Sequence, residues 1–197
     1  TGAGDAFCAG ADLVADPFDA TDGAFTASPI DPAAYAEDWD LLRDVINREY
    51  PLADGSGVMR TKLTACDSGG KEGVTHRAYE FWSNLRREGG GLHSRFQLVK
   101  GDTVPSAPRA KISYPDANRK DRSSGLRGEV PVLLMNTNLL KDQLDGMMNR
   151  RGQIEWPEWL PDEFFAELCV ETRGMKGWEN PQRRRNEAWD LLYYCLG

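Results

Sequence analysis

The stretch that most constrains the fold runs from residue 59 to residue 102. Residues 59–67 read as a strand that ends on an acid, Asp67, and Ser68-Gly69-Gly70 interrupts it. Val74, Ala78, Phe81, Trp82 and Leu85 then recur at helical spacing, and Gly89-Gly90-Gly91 closes that helix. Residues 95–102, Arg95-Phe96-Gln97-Leu98-Val99-Lys100-Gly101-Asp102, read as a second strand. A strand, a helix and a strand in this order predict two parallel strands joined by a crossover, which points to the α/β class. In such sheets ligands gather at the carboxyl ends of the strands, where Asp67 and Lys100 are expected to project. An Asp ahead of a helix is equally often an N-cap, and a lysine there is equally often a surface lysine. This piece alone leaves both readings standing.

The flanking segments extend the pattern. Asp31 and Pro32 open a helix whose stripe is Tyr35, Trp39, Leu42, Val45, Ile46 and Tyr50, ended by Pro51. Residues 110–114 and 130–135 read as strands, and Leu139, Leu140, Leu144 and Met148 mark a helix. A short strand is expected at 153–156, a helix at 161–170, and a loop carrying Trp178 at 171–182. Residues 16–32 are rich in Asp, Pro, Gly and Thr and read as loop, while Ala9-Gly10-Ala11-Asp12-Leu13 has the form of a short strand bearing a carboxylate. Gly2-Ala3-Gly4-Asp5 resembles the GAGD signature of ribokinase-type sugar kinases. Nothing else of that family follows, so the match is read as chance.

The closing helix is the second strong feature. Ala188, Leu191, Leu192 and Cys195 fall at i, i+3, i+4, i+7, and Trp189, Tyr193 and Tyr194 fill much of the remainder, so burial on most sides is expected. Asp190 interrupts this apolar surface, with Glu187 three residues earlier on the same side. A carboxylate in such a place requires a cation, a metal or several donors. An ion pair with one of the arginines just upstream and a functional role are both open on this stretch alone.

Charge and cysteine usage exclude several classes. A net charge of −7 and a pI near 4.9 rule out a domain that binds nucleic acid by overall charge. Cations do cluster locally, at Arg119, Lys120, Arg122 and Arg127 in a polar loop and at Arg184 and Arg185, where they suit phosphate contact. Cys8, Cys66, Cys169 and Cys195 are scattered without a CxxC pair, as expected of reduced core thiols in a cytosolic protein rather than a zinc site. His76 and His93 have no metal-ligand partner at helical spacing. No apolar run reaches the length of a membrane span, no signal peptide is visible, and no GxxxxGK[ST] motif is present. The opening at Thr1 and the end inside an apolar helix read as an excised domain.

Several separated motifs then stand in a recognisable order: Cys66-Asp67-Ser68-Gly69-Gly70, the Val99-Lys100-Gly101-Asp102 end of the second strand, Gly177-Trp178-Glu179-Asn180-Pro181, and Arg184-Arg185-Asn186-Glu187-Ala188-Trp189-Asp190. In these the chain resembles the C-terminal nuclease domain of the phage terminase large subunit, GpA type. The resemblance implies an RNase H-like α/β domain over residues 31–197, with a mixed central sheet flanked by helices. It leaves 1–30 as a poorly structured segment, a remnant of the first strand. It further implies that acids from different elements hold one or two Mg²⁺ or Mn²⁺ ions for phosphodiester cleavage. By position, Asp67 and Asp190 match the family's metal-binding acids, and the resemblance adds Glu187, of the same motif as Asp190, and Lys100, which matches the family's lysine, to the catalytic residues. The family's first carboxylate stands on an opening strand followed by a long hairpin. The segment before Asp31 is too short for that, and Asp12 is the nearest candidate. The implied partners are double-stranded DNA, the terminase small subunit and the portal protein, in the host cytoplasm and with no membrane. The alternative is a truncated domain that binds DNA or packaging partners without cleaving.

Overall fold

The computed structural model describes residues 30–52, 54–70, 72–115 and 128–197. Asp5, Asp12, Arg119, Lys120, Arg122 and Arg127 lie outside these residues. The described residues divide into two compact units, one drawn from residues through Val99 and from Ser113–Val132, the other from Lys100–Ile112 and Leu133–Gly197.

In the first unit the chain enters through a turn in which Asp31 Oδ1 accepts from the backbone N–H groups of Ala33 and Ala34, at 3.1 and 3.3 Å. A 3-10 turn, Glu37–Asp40, leads into α1, Leu41–Asn47. The expected helix is therefore shorter than its stripe, and Tyr50 lies in a strand, β1, Glu49–Pro51. The residue before a proline is disfavoured in the helical region, which turns the chain extended at Tyr50. β1 pairs antiparallel with β2, Val58–Arg60, with Glu49 opposite Arg60. The single strand expected at 59–67 is thus two, since β3, Thr64–Asp67, pairs elsewhere. β3 lies parallel to β4, Phe96–Asp102, with Cys66 opposite Leu98 and Asp67 opposite Val99, as the crossover pattern predicts.

Between those strands runs α2, Val74–Glu88. Every position of its predicted stripe is buried, and Tyr79 with them. Trp39, Phe81 and Phe96 stack through this core, at ring separations of 5.8 and 5.2 Å. Trp39 Nε1 donates to the Pro32 carbonyl at 2.8 Å, so its polar end is not stranded. Arg43 forks onto both Glu88 oxygens, at 2.7 and 2.8 Å.

Two more strands, β5, Ala110–Ser113, and β6, Val132–Asn136, complete a mixed four-stranded sheet of order β3–β4–β6–β5. The second unit carries α3, Thr137–Met148, α4, Asp162–Leu168, a hairpin of β7, Thr172–Gly174, and β8, Gly177–Glu179, and α5, Glu187–Tyr194. Two expectations are corrected here. Residues 153–156 form no strand, and residues 171–182 are not a plain loop but contain the β7–β8 hairpin. The hairpin depends on Gly177, at φ 135°. A Cβ there would stand 2.4 Å from Asn138 Oδ1, the same oxygen that accepts from Trp178 N at 2.9 Å.

The faces of α3 and α5 also differ from their apolar stripes. In α3, Leu140, Lys141 and Leu144 are buried, whereas Leu139 is 43% exposed. In α5, Trp189 and Tyr193, one turn apart, are the buried aromatic pair, and Cys195 is exposed. Cys169 is exposed as well, so these two cysteines are not core thiols. Among the described residues no helix is long and apolar enough to cross a membrane.

Candidate active site

α5 begins at a turn shaped by Asn180 and Arg184, which exchange two hydrogen bonds: Arg184 N donates to Asn180 Oδ1 at 3.0 Å, and Asn180 Nδ2 donates to the Arg184 carbonyl at 2.6 Å. Arg183 accommodates this turn at φ 50°. The open N-terminus of the helix is met by α4: Glu167 Oε2 accepts from Ala188 N at 2.8 Å. Its Oε1 pairs with Arg185 Nε at 2.9 Å. A carboxylate at that end both accepts an orphan N–H and opposes the helix dipole. Arg185 is thereby engaged with Glu167, while Arg184 is exposed.

Asp190, in the first turn of α5, finds its cation far away in the chain. Lys141 Nζ lies 2.6 Å from Asp190 Oδ1 and 2.8 Å from both carboxylate oxygens of Glu171. The Asp190 contact is an ion pair by distance. Asn186 Nδ2 joins the same group, donating to Glu171 Oε1 at 2.5 Å and to Asp190 Oδ2 at 3.3 Å. The Lys141 and Glu171 side chains are 4% and 6% exposed and that of Asp190 33%, so the network is sealed on one side and open at Asp190. The Tyr193 ring, 5.1 Å from Lys141 Nζ, lines the sealed side with π density. Glu187, the other acid of the motif, is buried.

Neither Lys141 nor Glu171 stood out in the sequence. The signal for Lys141 was its place beside Leu140 and three residues before Leu144, on what proves to be the buried face of α3. Nothing local marked Glu171, which follows α4 in sequence.

Next to this network, Gly101 explains its own identity. A Cβ at that position would stand 2.8 Å from Thr137 Oγ1 and 3.2 Å from Tyr193 Oη, so β4 can pass only as glycine. Lys100, just before it, is exposed and within β4 rather than at its carboxyl end, because the strand continues to Asp102. Asp102 pairs with Lys111 at 2.8 Å, and that hydrogen bond, with one from Val104 N, holds its carboxyl below the usual range.

Asp67 belongs to the first unit and is held differently. It ends β3 half-buried, and its Oδ1 accepts from Gly69 N at 2.8 Å, an Asx turn that aims the chain into α2. Ser68 is fully buried, its N–H and hydroxyl both donating to the Val99 carbonyl at 2.9 and 3.0 Å. Thr75 Oγ1 in turn donates to the Ser68 carbonyl at 2.7 Å. The N-cap of α2 is Gly73, with no side-chain cap, so Asp67 does not serve as that cap. Burial, with the Asp67 charge beside it, pushes the Cys66 thiol up to about 12, which removes it as a nucleophile at neutral pH.

The sequence-predicted residues fall in both units. Asp190, Glu187, Arg184 and Arg185 share α5 and its entry, Lys100 lies on β4, and Asp67 occupies a turn of the first unit. Among the described residues no three His, Cys, Asp or Glu side chains converge as metal ligands. The acid pair best placed to hold a cation, Glu171 and Asp190, already encloses an ammonium. Glu171 and Asp190 thus share an ammonium between them, not a divalent ion.

A family model describing the endonuclease domain of the terminase large subunit gpA matches residues 14–197. The chain belongs to this family. The match extends further toward the N-terminus than the motifs alone, and begins after Asp12. No curated protein and no solved structure matches the chain. Membership makes this a gpA endonuclease domain of mixed α/β build, with the Glu187–Asp190 motif on its last helix.

Proposed function

We propose that this domain is the metal-dependent endonuclease of a viral packaging terminase, RNase H-like in fold, which hydrolyses phosphodiester bonds of concatemeric double-stranded DNA. The observation that carries the reading is the family match over 14–197, which ends on an ordered helix bearing Asp190 in a built charge network. In this reading Asp67 and Asp190 are the essential acids and the candidate ligands of Mg²⁺ or Mn²⁺, with Asp12 the candidate first acid. Glu187 supports the helix. Lys100, Arg184 and Arg185, together with Arg119, Lys120, Arg122 and Arg127, contact backbone phosphates, which position DNA without reading its sequence. The terminase small subunit and portal protein are its partners, and the host cytoplasm its setting.

A second reading has its own observation. Lys141 stands between Glu171 and Asp190, and no ligand trio converges among the described residues, which favours a domain that binds DNA without cutting it. Incubation with supercoiled plasmid and Mn²⁺, beside Asp67→Ala and Asp190→Ala, separates the two. The nuclease reading expects linear product from the native chain and a loss of at least about 100-fold in each variant. Cleavage that survives both substitutions would sink the site assignment. DNA binding with no cleavage by the native chain selects the second reading.

A further inference from the structure

We propose that Lys141 is the resident cation of the Glu171–Asp190 pair: it positions Asp190 and keeps divalent ions from being shared between the two acids. Lys141 Nζ donates to both Glu171 oxygens at 2.8 Å and is ion-paired with Asp190 Oδ1 at 2.6 Å, so three carboxylate oxygens surround one ammonium. These are the hydrogen-bond and ion-pair distances of an ammonium, which fills the space between the two acids. Asn186 clips one oxygen of each acid, and the Tyr193 ring lies 5.1 Å from Nζ.

Charge gives the same answer. Two carboxylates and one ammonium leave a single negative charge in a sealed place. A divalent ion added beside the ammonium would have to displace it or meet its repulsion across a few ångströms of low dielectric. Removal of the ammonium leaves one buried carboxylate, Glu171, beside the part-exposed Asp190, and a divalent ion balances the two charges in full. Glu171 is thus the counter-ion of Lys141 and not a metal ligand, whereas Asp190, open on one edge, is restrained by the lysine at 2.6 Å. Lys141 is a positioning residue. The inference rests on the proposed reading only in taking Asp190 as the acid that matters for cleavage.

The test measures Mn²⁺ binding (loss of the free-ion spin-resonance signal) and thermal unfolding with and without Mn²⁺ on the whole chain. Wild type, Lys141→Gln, Lys141→Arg, Glu171→Gln and the Lys141→Gln/Glu171→Gln double variant are compared. Lys141→Gln is expected to unfold on the order of 10 °C lower without metal. Mn²⁺ should raise it by roughly 5 °C, a response that the double variant lacks. Lys141→Arg keeps the cation and should respond as wild type does. Glu171→Gln in the native background should leave the Mn²⁺ response unchanged. Loss of the native response in Glu171→Gln overturns the inference, because Glu171 would then be a ligand. Absence of any gain in a folded Lys141→Gln overturns it as well. Should Lys141→Gln fold in neither condition, the Glu171→Gln comparison alone decides, by the same two outcomes. Plasmid cleavage scored on the same samples keeps the two claims apart. Cleavage by a protein whose Mn²⁺ response needs Glu171 defeats the inference and leaves the nuclease, and a Lys141-controlled response without cleavage does the reverse.

Discussion

Asp67 and Asp190 are the two acids the sequence singles out, and the molecule restrains them by opposite means. Asp67 is fixed by its own neighbourhood: the strand end, the Gly69 N–H at 2.8 Å and the buried Ser68 behind it all lie within two residues. Asp190 is fixed by residues 141, 171 and 186, drawn from three separate stretches of the second unit. A backbone N–H restrains a carboxylate at modest energy and without adding charge. A sealed ammonium restrains it far more strongly but ties its geometry to two other side chains. Local chemistry positions one acid and long-range packing positions the other.

That contrast can be broken most forcefully at the lysine. Lys141→Ala leaves the Glu171 carboxylate buried and without its cation, and should cost about 3–5 kcal/mol in urea unfolding. A loss under about 1 kcal/mol would show that the network is no more than a surface pair. Asp67→Ala removes the acceptor of the Gly69 N–H and should cost about 1 kcal/mol, well below the lysine variant. Asp67→Asn, whose amide oxygen still accepts from Gly69, should unfold close to wild type while losing cleavage as fully as Asp67→Ala. Equal stability losses in the alanine and asparagine variants would remove the distinction between the restraint of Asp67 and its chemical role.

The smallest effect concerns the outer ion pairs and sharpens the comparison with the sealed one. Burial works against ionisation of Asp142, but hydrogen bonds from Arg173 and Trp178 Nε1 outweigh it and hold the carboxyl below its usual value. Asp102 is held down by Lys111. A carboxyl lowered in the folded state stabilises above its unfolded value and loses that contribution as pH falls through the folded one. Both members of the Asp142–Arg173 pair are exposed, and in the Asp102–Lys111 pair the lysine is exposed beside a largely covered acid, so each pair should contribute under about 1 kcal/mol, lost between roughly pH 5 and pH 2. Melting temperatures of Asp142→Asn and Asp102→Asn should therefore approach that of the native chain on acidification. A gap that persists unchanged at low pH would contradict this.

How much was legible follows the same line. The stripe of α2 came through intact because helical periodicity is a property of consecutive residues, and the parallel β3–β4 pair followed from the helix between them. Tyr50 failed because a proline next door overrode the stripe, and the β7–β8 hairpin was missed because its turn needs Gly177 beside Asn138, far back in the sequence of the same unit. In α3 the apolar stripe placed Leu139 inward and said nothing of Lys141, yet the lysine is buried and the leucine is not. An apolar count cannot anticipate that two acids elsewhere will make burial of an ammonium favourable.

By itself, then, the sequence determined the α/β class, the crossover, the last helix and the family, since each rests on short-range periodicity or on motif order along the chain. It also made plain that Asp190 needs a partner, because a carboxylate among Trp189, Leu191 and Tyr193 is untenable alone. Which partner was decided only by the tertiary structure. Lys141 and Glu171 lie 49 and 19 positions from Asp190, and a charge selects its counter-charge by distance in space, not by separation in sequence.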